Sequence, residues 1–195
     1  MPKLRIRDIT VNYDQQGAGE PLVLIPYLAA DYACYAFQVA EYSKHFTCVT
    51  VDLRGAGDTD KPGGSYSTEQ FADDIAAFMG AARIDRAHIA GLSLGAATGM
   101  WLAAKYPAKV KSLALHSGWA KSDAFLKTVV EGWQVMASAL QRAGDDHQGH
   151  LSVVLYARTL WRPAGLHQFT GRLREGPTGA AAGRLSPPVR CGDRA

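Results

Sequence analysis

Apolar and polar positions alternate with two different periods along the chain, and they predict strands and helices in turn. Residues 22–25 form an unbroken apolar run, which is typical of a strand buried on both faces of a parallel sheet. Phe46–Val51 is rich in β-branched residues and predicts the next strand. The loose alternation of residues 4–13 predicts a strand or a hairpin arm, and residues 84–91 and Val110–His116 predict two further strands.

Helical spacing of apolar residues fills the segments between these strands. Residues 33–44, 94–106 and 123–142 each carry such a pattern. A further helix is predicted to start at Ser67, whose hydroxyl is followed by an acid and an amide in the first turn. Its buried face is predicted to consist of Phe71, Ile75, Phe78 and Met79. Strands and helices that alternate in this way predict an α/β protein with a mostly parallel sheet and flanking helices.

The stretch Gly91-Leu92-Ser93-Leu94-Gly95 joins a predicted strand to a predicted helix. This is the G-x-S-x-G nucleophile elbow in the context that it requires. Gly91 and Gly95 let the strand and the helix approach each other. Ser93 Oγ then stands above the sheet at a helix N-terminus, where the helix dipole favours negative charge. The N–H of Leu94 can stabilise a developing oxyanion, so the elbow predicts a nucleophilic serine.

Four further motifs accompany the elbow in a regular order. They are Pro21-Leu22-Val23-Leu24-Ile25, Asp52-Leu53-Arg54-Gly55-Ala56-Gly57, Asp60-Lys61-Pro62 and Trp101-Leu102-Ala103-Ala104-Lys105-Tyr106-Pro107. With these motifs, residues 19–119 closely resemble the α/β-hydrolase superfamily, in the branch of small bacterial esterases, enol-lactonases and aminoacrylate hydrolases. The resemblance implies an α/β-hydrolase core at residues 1–119 and part of a helical cap at residues 120–161.

The same resemblance implies a serine hydrolase that acts on a carboxylic ester or lactone through an acyl-enzyme on Ser93. The N–H of Leu94 would be one oxyanion donor and the N–H of Leu28 the other. The family usually has His-Gly where this chain has Pro26-Tyr27; proline lacks an N–H, and tyrosine does not readily adopt a positive φ. A serine at the elbow argues against haloalkane dehalogenase and epoxide hydrolase chemistry. No cofactor and no metal is implied.

The family template also requires a histidine and an acid, in the chain order Ser, acid, His, and places both beyond the cap. His45 and His88 lie beside predicted strand starts, at the end of the sheet away from the elbow. His116 ends a strand and therefore lies at the elbow's end. The remaining histidines are His147 and His150 in a predicted cap loop and His167 in the C-terminal segment. No acid stands at a matching position; Asp123 is the nearest and is interpreted as a helix cap.

Residues 162–195 differ in composition from the rest of the chain. About three-fifths of them are Arg, Gly, Ala or Pro, and none is lysine. Such a segment cannot form a core and is predicted to be disordered. Its composition also resembles GC-rich DNA that is translated in a shifted frame. We therefore hypothesise that a frameshift or truncation near residue 160 replaced the last strands of a hydrolase. The alternative function is then a catalytically inactive remnant without the acid and histidine of the triad.

The net charge of +3 arises from this tail, which holds six arginines against two acidic residues. The rest of the chain is close to neutral, so no basic face for nucleic acid is implied. The sequence has no secretory leader pattern and no apolar run long enough to span a bilayer, which predicts a cytoplasmic protein without a membrane partner. Its three widely spaced cysteines predict neither a disulfide framework nor a zinc site. The predicted partner is a small ester or lactone, and the oligomeric state is left open.

Two sets of residues admit two interpretations each. Arg54 and Asp58 either take part in chemistry or order their loop, and we favour the second interpretation. An apolar set in the predicted cap region either lines a site for a small apolar substrate or packs against the core. It consists of Trp119, Phe125, Trp133 and Met136.

Overall fold

The computed structural model describes residues 1–143, which form a six-stranded sheet in the order β1-β2-β4-β3-β5-β6. The strands are β1 (Lys3–Ile6), β2 (Ile9–Gln16), β3 (Glu20–Ile25), β4 (Phe46–Val51), β5 (Ala87–Leu92) and β6 (Val110–His116). The β3–β4, β3–β5 and β5–β6 pairs are parallel. The β1–β2 and β2–β4 pairs are antiparallel. The predicted α/β fold with a mostly parallel sheet is therefore confirmed.

The alternating segment at residues 4–13 forms a hairpin and not one arm alone. Ile6 pairs with Ile9, and Arg7 adopts a φ of +39° in the two-residue turn between the strands. β2 then continues beside β4, with Tyr13 opposite Val51. The hairpin thus extends the parallel part of the sheet by two antiparallel strands.

Four α-helices accompany the described strands. They are α1 (Ala36–Tyr42), α2 (Thr68–Ala81), α3 (Leu94–Lys105) and α4 (Ala124–Ala143). Ser67 caps α2, because its hydroxyl accepts a hydrogen bond of 3.1 Å from the N–H of Gln70. Asp123 Oδ1 accepts one of 2.8 Å from the N–H of Leu126 at the start of α4. Both predicted helix caps are confirmed.

The helix predicted over residues 33–44 is shorter than its apolar pattern indicates. The carboxylate of Asp31 accepts from the N–H of Ala33 and caps a 3₁₀ turn, Tyr32–Tyr35. Because this tighter turn comes first, the α-helix starts only at Ala36. Tyr35 is buried, and its hydroxyl donates to the carbonyl of Ile25 over 2.8 Å. The turn is therefore anchored to the end of β3.

Side chains on the two faces of β3 belong to two separate hydrophobic cores. Val23 and Ile25 lie in the larger core, together with residues of α2 and α3. Leu22 and Leu24 lie in the smaller core, together with Val39 of α1. The predicted buried face of α2 is confirmed, since all four of its members are at most 3% exposed. The helices therefore cover both faces of the parallel strands.

β6 is the last strand of the described sheet. Within residues 1–143 it pairs with β5 alone, and its register places His116 opposite Leu92. α4 lies in the predicted cap region at 120–161; residues 144–161 of that region and the tail at 162–195 lie outside the described residues. None of the helices in residues 1–143 has the length and apolar character needed to cross a membrane.

Candidate active site

Ser93 is the single residue between β5 and α3, and its backbone is strained. Its φ of 54° and ψ of −111° lie where a non-glycine residue pays about 1–3 kcal/mol. Two hydrogen bonds hold it there. Its N–H donates to the carbonyl of His116 over 2.8 Å, and its carbonyl accepts from the N–H of Ala97 over 3.1 Å. The predicted strand–turn–helix arrangement is therefore present, at the carboxyl end of the parallel strands.

Gly91 and Gly95 leave no room for a side chain. A Cβ on Gly95 would overlap the carbonyl oxygen of Ile25 and lie 2.8 Å from that of Pro26. A Cβ on Gly91 would overlap the carbonyl of Gly95 and lie 2.6 Å from the nitrogen of Ala96. The two glycines thus bring the start of α3 against the end of β3, and so bring the elbow beside the loop that follows β3.

Replacing Gly95 by alanine is expected to destabilise the fold by about 2 kcal/mol, because the new methyl group would meet rigid backbone atoms. Gly80→Ala is the matched control. Gly80 lies in α2 with nothing within 4 Å of an added Cβ, so alanine there is expected to stabilise the helix by about 0.5–1 kcal/mol. Denaturant midpoints of the two variants should move in opposite directions. A Gly95→Ala protein that is as stable as the parent would contradict the close approach.

The hydroxyl of Ser93 is not used to cap the helix that it precedes. Serines at this position usually accept a hydrogen bond from an N–H of the first turn, but Ser93 makes none. Within residues 1–143 no other group hydrogen-bonds Ser93 Oγ, and the residue is partly exposed. The hydroxyl is therefore open to a ligand at the positive end of the α3 dipole.

Two backbone N–H groups, one in the elbow and one in the loop after β3, make no backbone hydrogen bond within the described residues. They belong to Leu94 and Leu28, the two predicted oxyanion donors. The left-handed residue of this loop is Ala29, with a φ of +63°, and not Tyr27. The side chain of Leu28 packs against the larger core. The Pro26-Tyr27 sequence is thus accommodated without a positive φ at Tyr27.

Asp52 follows β4, and its buried carboxylate ties three segments together. Oδ1 accepts a hydrogen bond of 2.7 Å from the N–H of Tyr32. Oδ2 accepts from Asn12 Nδ2 over 2.8 Å and from the N–H of Asp58 over 2.9 Å. The sequence motif contains this residue without indicating what its side chain binds. The sequence signal for this structural role is an acid directly after a buried strand, with Gly57 five residues later. The glycine is needed because a Cβ on Gly57 would overlap this carboxylate.

Arg54 is buried and forms two forked ion pairs, with Asp8 and with Asp74. Its guanidinium donates to Asp8 over 2.7 Å twice, and to Asp74 over 2.7 and 2.9 Å. These contacts join the β1–β2 turn to α2, so Arg54 does more than order its own loop. Asp58 does order the loop, through its N–H bond to Asp52. The interpretation that neither residue takes part in chemistry fits these contacts.

The three described histidines lie at two ends of the sheet. His88, near the start of β5, bonds Ser112 and Glu20 and is remote from the elbow, as predicted. His45 lies in the turn before β4. His116 ends β6; its carbonyl bonds the N–H of Ser93, and the residue is exposed. His147, His150 and His167 lie outside the described residues. Within residues 1–143, therefore, no histidine side chain is hydrogen-bonded to Ser93.

The apolar residues of the predicted cap region divide into two groups. Trp119 is partly buried and packs against the larger core. The exposed fractions of Phe125, Trp133 and Met136 on α4 are 77%, 45% and 56%. Within residues 1–143 the packing interpretation therefore holds for Trp119 and not for the three residues of α4. In the part of the chain that the structure describes, no three His, Cys, Asp or Glu side chains are grouped to hold a metal ion.

Comparison with known proteins gives curated relatives that are longer than this chain. The 3-oxoadipate enol-lactonase 2 of Acinetobacter baylyi is 25% identical over 164 residues, which cover 83% of this chain and 58% of the relative. The 2-(acetamidomethylene)succinate hydrolase of Mesorhizobium japonicum is 33% identical over 111 residues, which cover 57% of this chain and 40% of the relative. The chain thus spans about half the length of the curated relatives it matches.

A solved structure and a family model agree with the fold described above. The enol-lactonase from Burkholderia xenovorans LB400 has a TM-score of 0.66 and 25% sequence identity, over 82% of this chain and 73% of that one. Residues 20–163, which are most of the chain, match the family model described as alpha/beta hydrolase fold. With the elbow between β5 and α3, this match shows that the chain belongs to the α/β-hydrolase family.

Proposed function

We propose that this chain is a serine hydrolase that cleaves a carboxylic ester or lactone through an acyl-enzyme on Ser93. The observation that carries the proposal is the strained Ser93 between β5 and α3, whose hydroxyl leaves the helix uncapped. A serine that is held in this conformation and kept free of local hydrogen bonds has the arrangement of a nucleophile. The relatives support the substrate class, since two of those compared are named enol-lactonases.

In this mechanism Ser93 Oγ attacks the carbonyl carbon, and the carbonyl oxygen becomes an oxyanion. The N–H groups of Leu94 and Leu28 stabilise that charge by donating hydrogen bonds to the oxyanion. Each such donor typically lowers a barrier by about 3 kcal/mol. Collapse of the intermediate expels the alcohol, or opens the lactone, and leaves an acyl group on Ser93. Water then releases the acid. The proposed chemistry uses neither a metal nor a cofactor, and its substrate is a small molecule.

A general base must take the proton of Ser93. His116 is the described histidine at the elbow's end of the sheet, and His147 and His150 are further candidates outside the described residues. A second candidate function is ligand binding at the elbow without turnover. It is favoured by the observation that, within residues 1–143, no histidine side chain forms a hydrogen bond with Ser93 Oγ.

The test is release of p-nitrophenol from p-nitrophenyl butyrate by the full chain and by Ser93→Ala. We expect at least a tenfold loss of release in the variant, because the acyl acceptor is removed. Ser65→Ala, which removes an exposed loop serine, is the control and should behave as the parent. Equal release by the parent and Ser93→Ala would refute the proposed hydrolase. Equal release together with binding of the ester by the parent would favour the second candidate, whereas a single Ser93-dependent burst would show acylation of Ser93 without deacylation.

A further inference from the structure

A second serine of this chain is hydrogen-bonded to a histidine, far from the elbow. His88 Nδ1 lies 2.8 Å from Ser112 Oγ, and His88 Nε2 lies 2.7 Å from Glu20 Oε2. Glu20 begins β3, and His88 and Ser112 face each other in the register of β5 and β6. The three side chains therefore form one chain of hydrogen bonds across three parallel strands, at the end where those strands begin.

The carboxylate of Glu20 determines the tautomer of His88. A carboxylate accepts hydrogen bonds and donates none, so Nε2 of the neutral ring carries the hydrogen. Nδ1 then presents its lone pair to Ser112 and accepts a hydrogen bond from the hydroxyl. This is the order of groups that activates a serine: a hydroxyl, an imidazole base and an orienting carboxylate.

The surroundings keep Glu20 ionised and His88 in place. Hydrogen bonds from His88 and from Lys111, whose Nζ lies 3.0 Å from Glu20 Oε1, lower the pKa of Glu20. The ring of Phe46 packs edge-on against the imidazole, with 5.7 Å between the ring centroids. Ser112 itself is exposed, so a reagent in solution can reach its hydroxyl.

This site is separate from the elbow. Four residues of β5 lie between His88 and Ser93, and the five residue steps correspond to roughly 16 Å along the strand. Within the described residues, each of the two serines has features of a nucleophile that the other lacks. Ser93 has the strained turn and the helix N-terminus without a bonded imidazole, whereas Ser112 has a bonded imidazole without that turn.

We propose that Ser112 is a second nucleophilic serine, which is acylated by activated carboxylic esters with His88 as its general base. Ser112 Oγ forms a bond to the acyl carbon, and its proton passes to His88 Nδ1. The bond between the acyl carbon and the aryl oxygen breaks, and the aryl oxide leaves with the electron pair and takes up a proton. Glu20 is a positioning residue, because it holds the ring in the reactive tautomer and balances its charge during transfer.

The experiment uses the full chain carrying Ser93→Ala, so that the elbow does not contribute. The protein is treated with p-nitrophenyl acetate and quenched in acid, and acetylation of individual serines is followed by peptide mass spectrometry. Ser112 is expected to acetylate on the order of 100-fold faster than Ser65, an exposed serine without a histidine partner among residues 1–143. Equal rates at the two serines would overturn the proposal.

Two substitutions in that background test the roles of the partners. His88→Gln is expected to reduce the Ser112 rate to that of Ser65, because no base remains. Glu20→Gln is expected to reduce it at least tenfold, because an amide bonds either tautomer of the ring. Glu41→Gln, which removes another exposed surface carboxylate, is the matched control and should leave the rate unchanged. An unaltered Ser112 rate in His88→Gln would overturn the proposal, and neither result bears on the role of Ser93.

Discussion

Replacing Arg54 by methionine is expected to cost about 3–5 kcal/mol of unfolding free energy, the largest loss that we expect from any substitution considered for this chain. The Arg54 side chain is 2% exposed, and that of its partner Asp74 is 5% exposed. Methionine fills much of the same volume but donates no hydrogen bond, so the carboxylate of Asp74 stays buried with Arg7 at 3.2 Å as its remaining cation. For a chain of this size the loss corresponds to a fall in Tm of roughly 6–20 °C.

A matched control and a double variant make this prediction specific. Arg86→Met removes a guanidinium with one exposed hydrogen bond, to the carbonyl of Val110, and should change stability by less than about 1 kcal/mol. Combining Arg54→Met with Asp74→Leu also removes the buried carboxylate, which has lost Arg54 as its partner in the single variant. The double variant is therefore expected to be more stable than Arg54→Met alone. Strictly additive losses would show that the pair is not coupled.

The same ion pairs predict how stability changes with pH. The hydrogen bond from Arg54 holds the pKa of Asp8 well below its ordinary value of 3.8. A carboxyl whose pKa is lowered on folding stabilises the protein above the unfolded pKa, and that contribution is lost as pH falls below about 4. Urea unfolding between pH 5 and pH 2 should therefore show a steeper loss for the parent than for Arg54→Met. Parallel curves would contradict the assignment to Asp8.

The extent of the elements could be predicted because their signals are local. β4 and β6 match the predicted segments, and α2 starts at the predicted Ser67 cap with the predicted residues buried. The 3₁₀ turn before α1 could not be predicted from apolar spacing, since it depends on the cap at Asp31. Helical periodicity is the same for both kinds of turn over so short a segment.

The contacts at the two ends of the sheet could not be predicted, because they join residues far apart in the chain. Arg54 and Asp8 are separated by 46 positions, and His88 and Glu20 by 68. Their proximity depends on strand register and on the β1–β2 turn, neither of which follows from local pattern. The elbow is the opposite case, since Gly91, Ser93 and Gly95 act within five residues and the motif alone predicts the turn.

Asp52→Asn is the second substitution with a large expected effect, a loss of about 3 kcal/mol. The asparagine has nearly the same shape, but only one of its two terminal atoms accepts a hydrogen bond. If its oxygen bonds the N–H of Tyr32, its amide group faces two other donors, from Asn12 and Asp58. In the reverse orientation the N–H of Tyr32 loses its acceptor. Either way at least one of these donors is left unsatisfied beside the buried side chain, and hydrogen bonds to a charged group are lost.

Asp14→Asn is the matched control, because Asp14 lies on β2 and accepts only from the side chain of Gln16 among the described residues. It should change the unfolding free energy, measured from the denaturant midpoint, by less than about 0.5 kcal/mol. The exchange Asn12→Asp in the Asp52→Asn protein restores one donor–acceptor pair and is expected to recover part of the loss. No recovery would contradict this account.

The position of Asp52 gives the same substitution a second effect, on the elbow. Its bond to Tyr32 fixes the residue just after the loop that carries Leu28, so we expect the loop to move more freely in Asp52→Asn. Ser93-dependent release of p-nitrophenol should then fall about tenfold at temperatures where the variant is still folded, whereas Asp14→Asn should release it at the parental rate. Full activity in a destabilised Asp52→Asn protein would show that Asp52 supports the fold without positioning the Leu28 amide, because lost oxyanion stabilisation lowers the rate of every folded molecule.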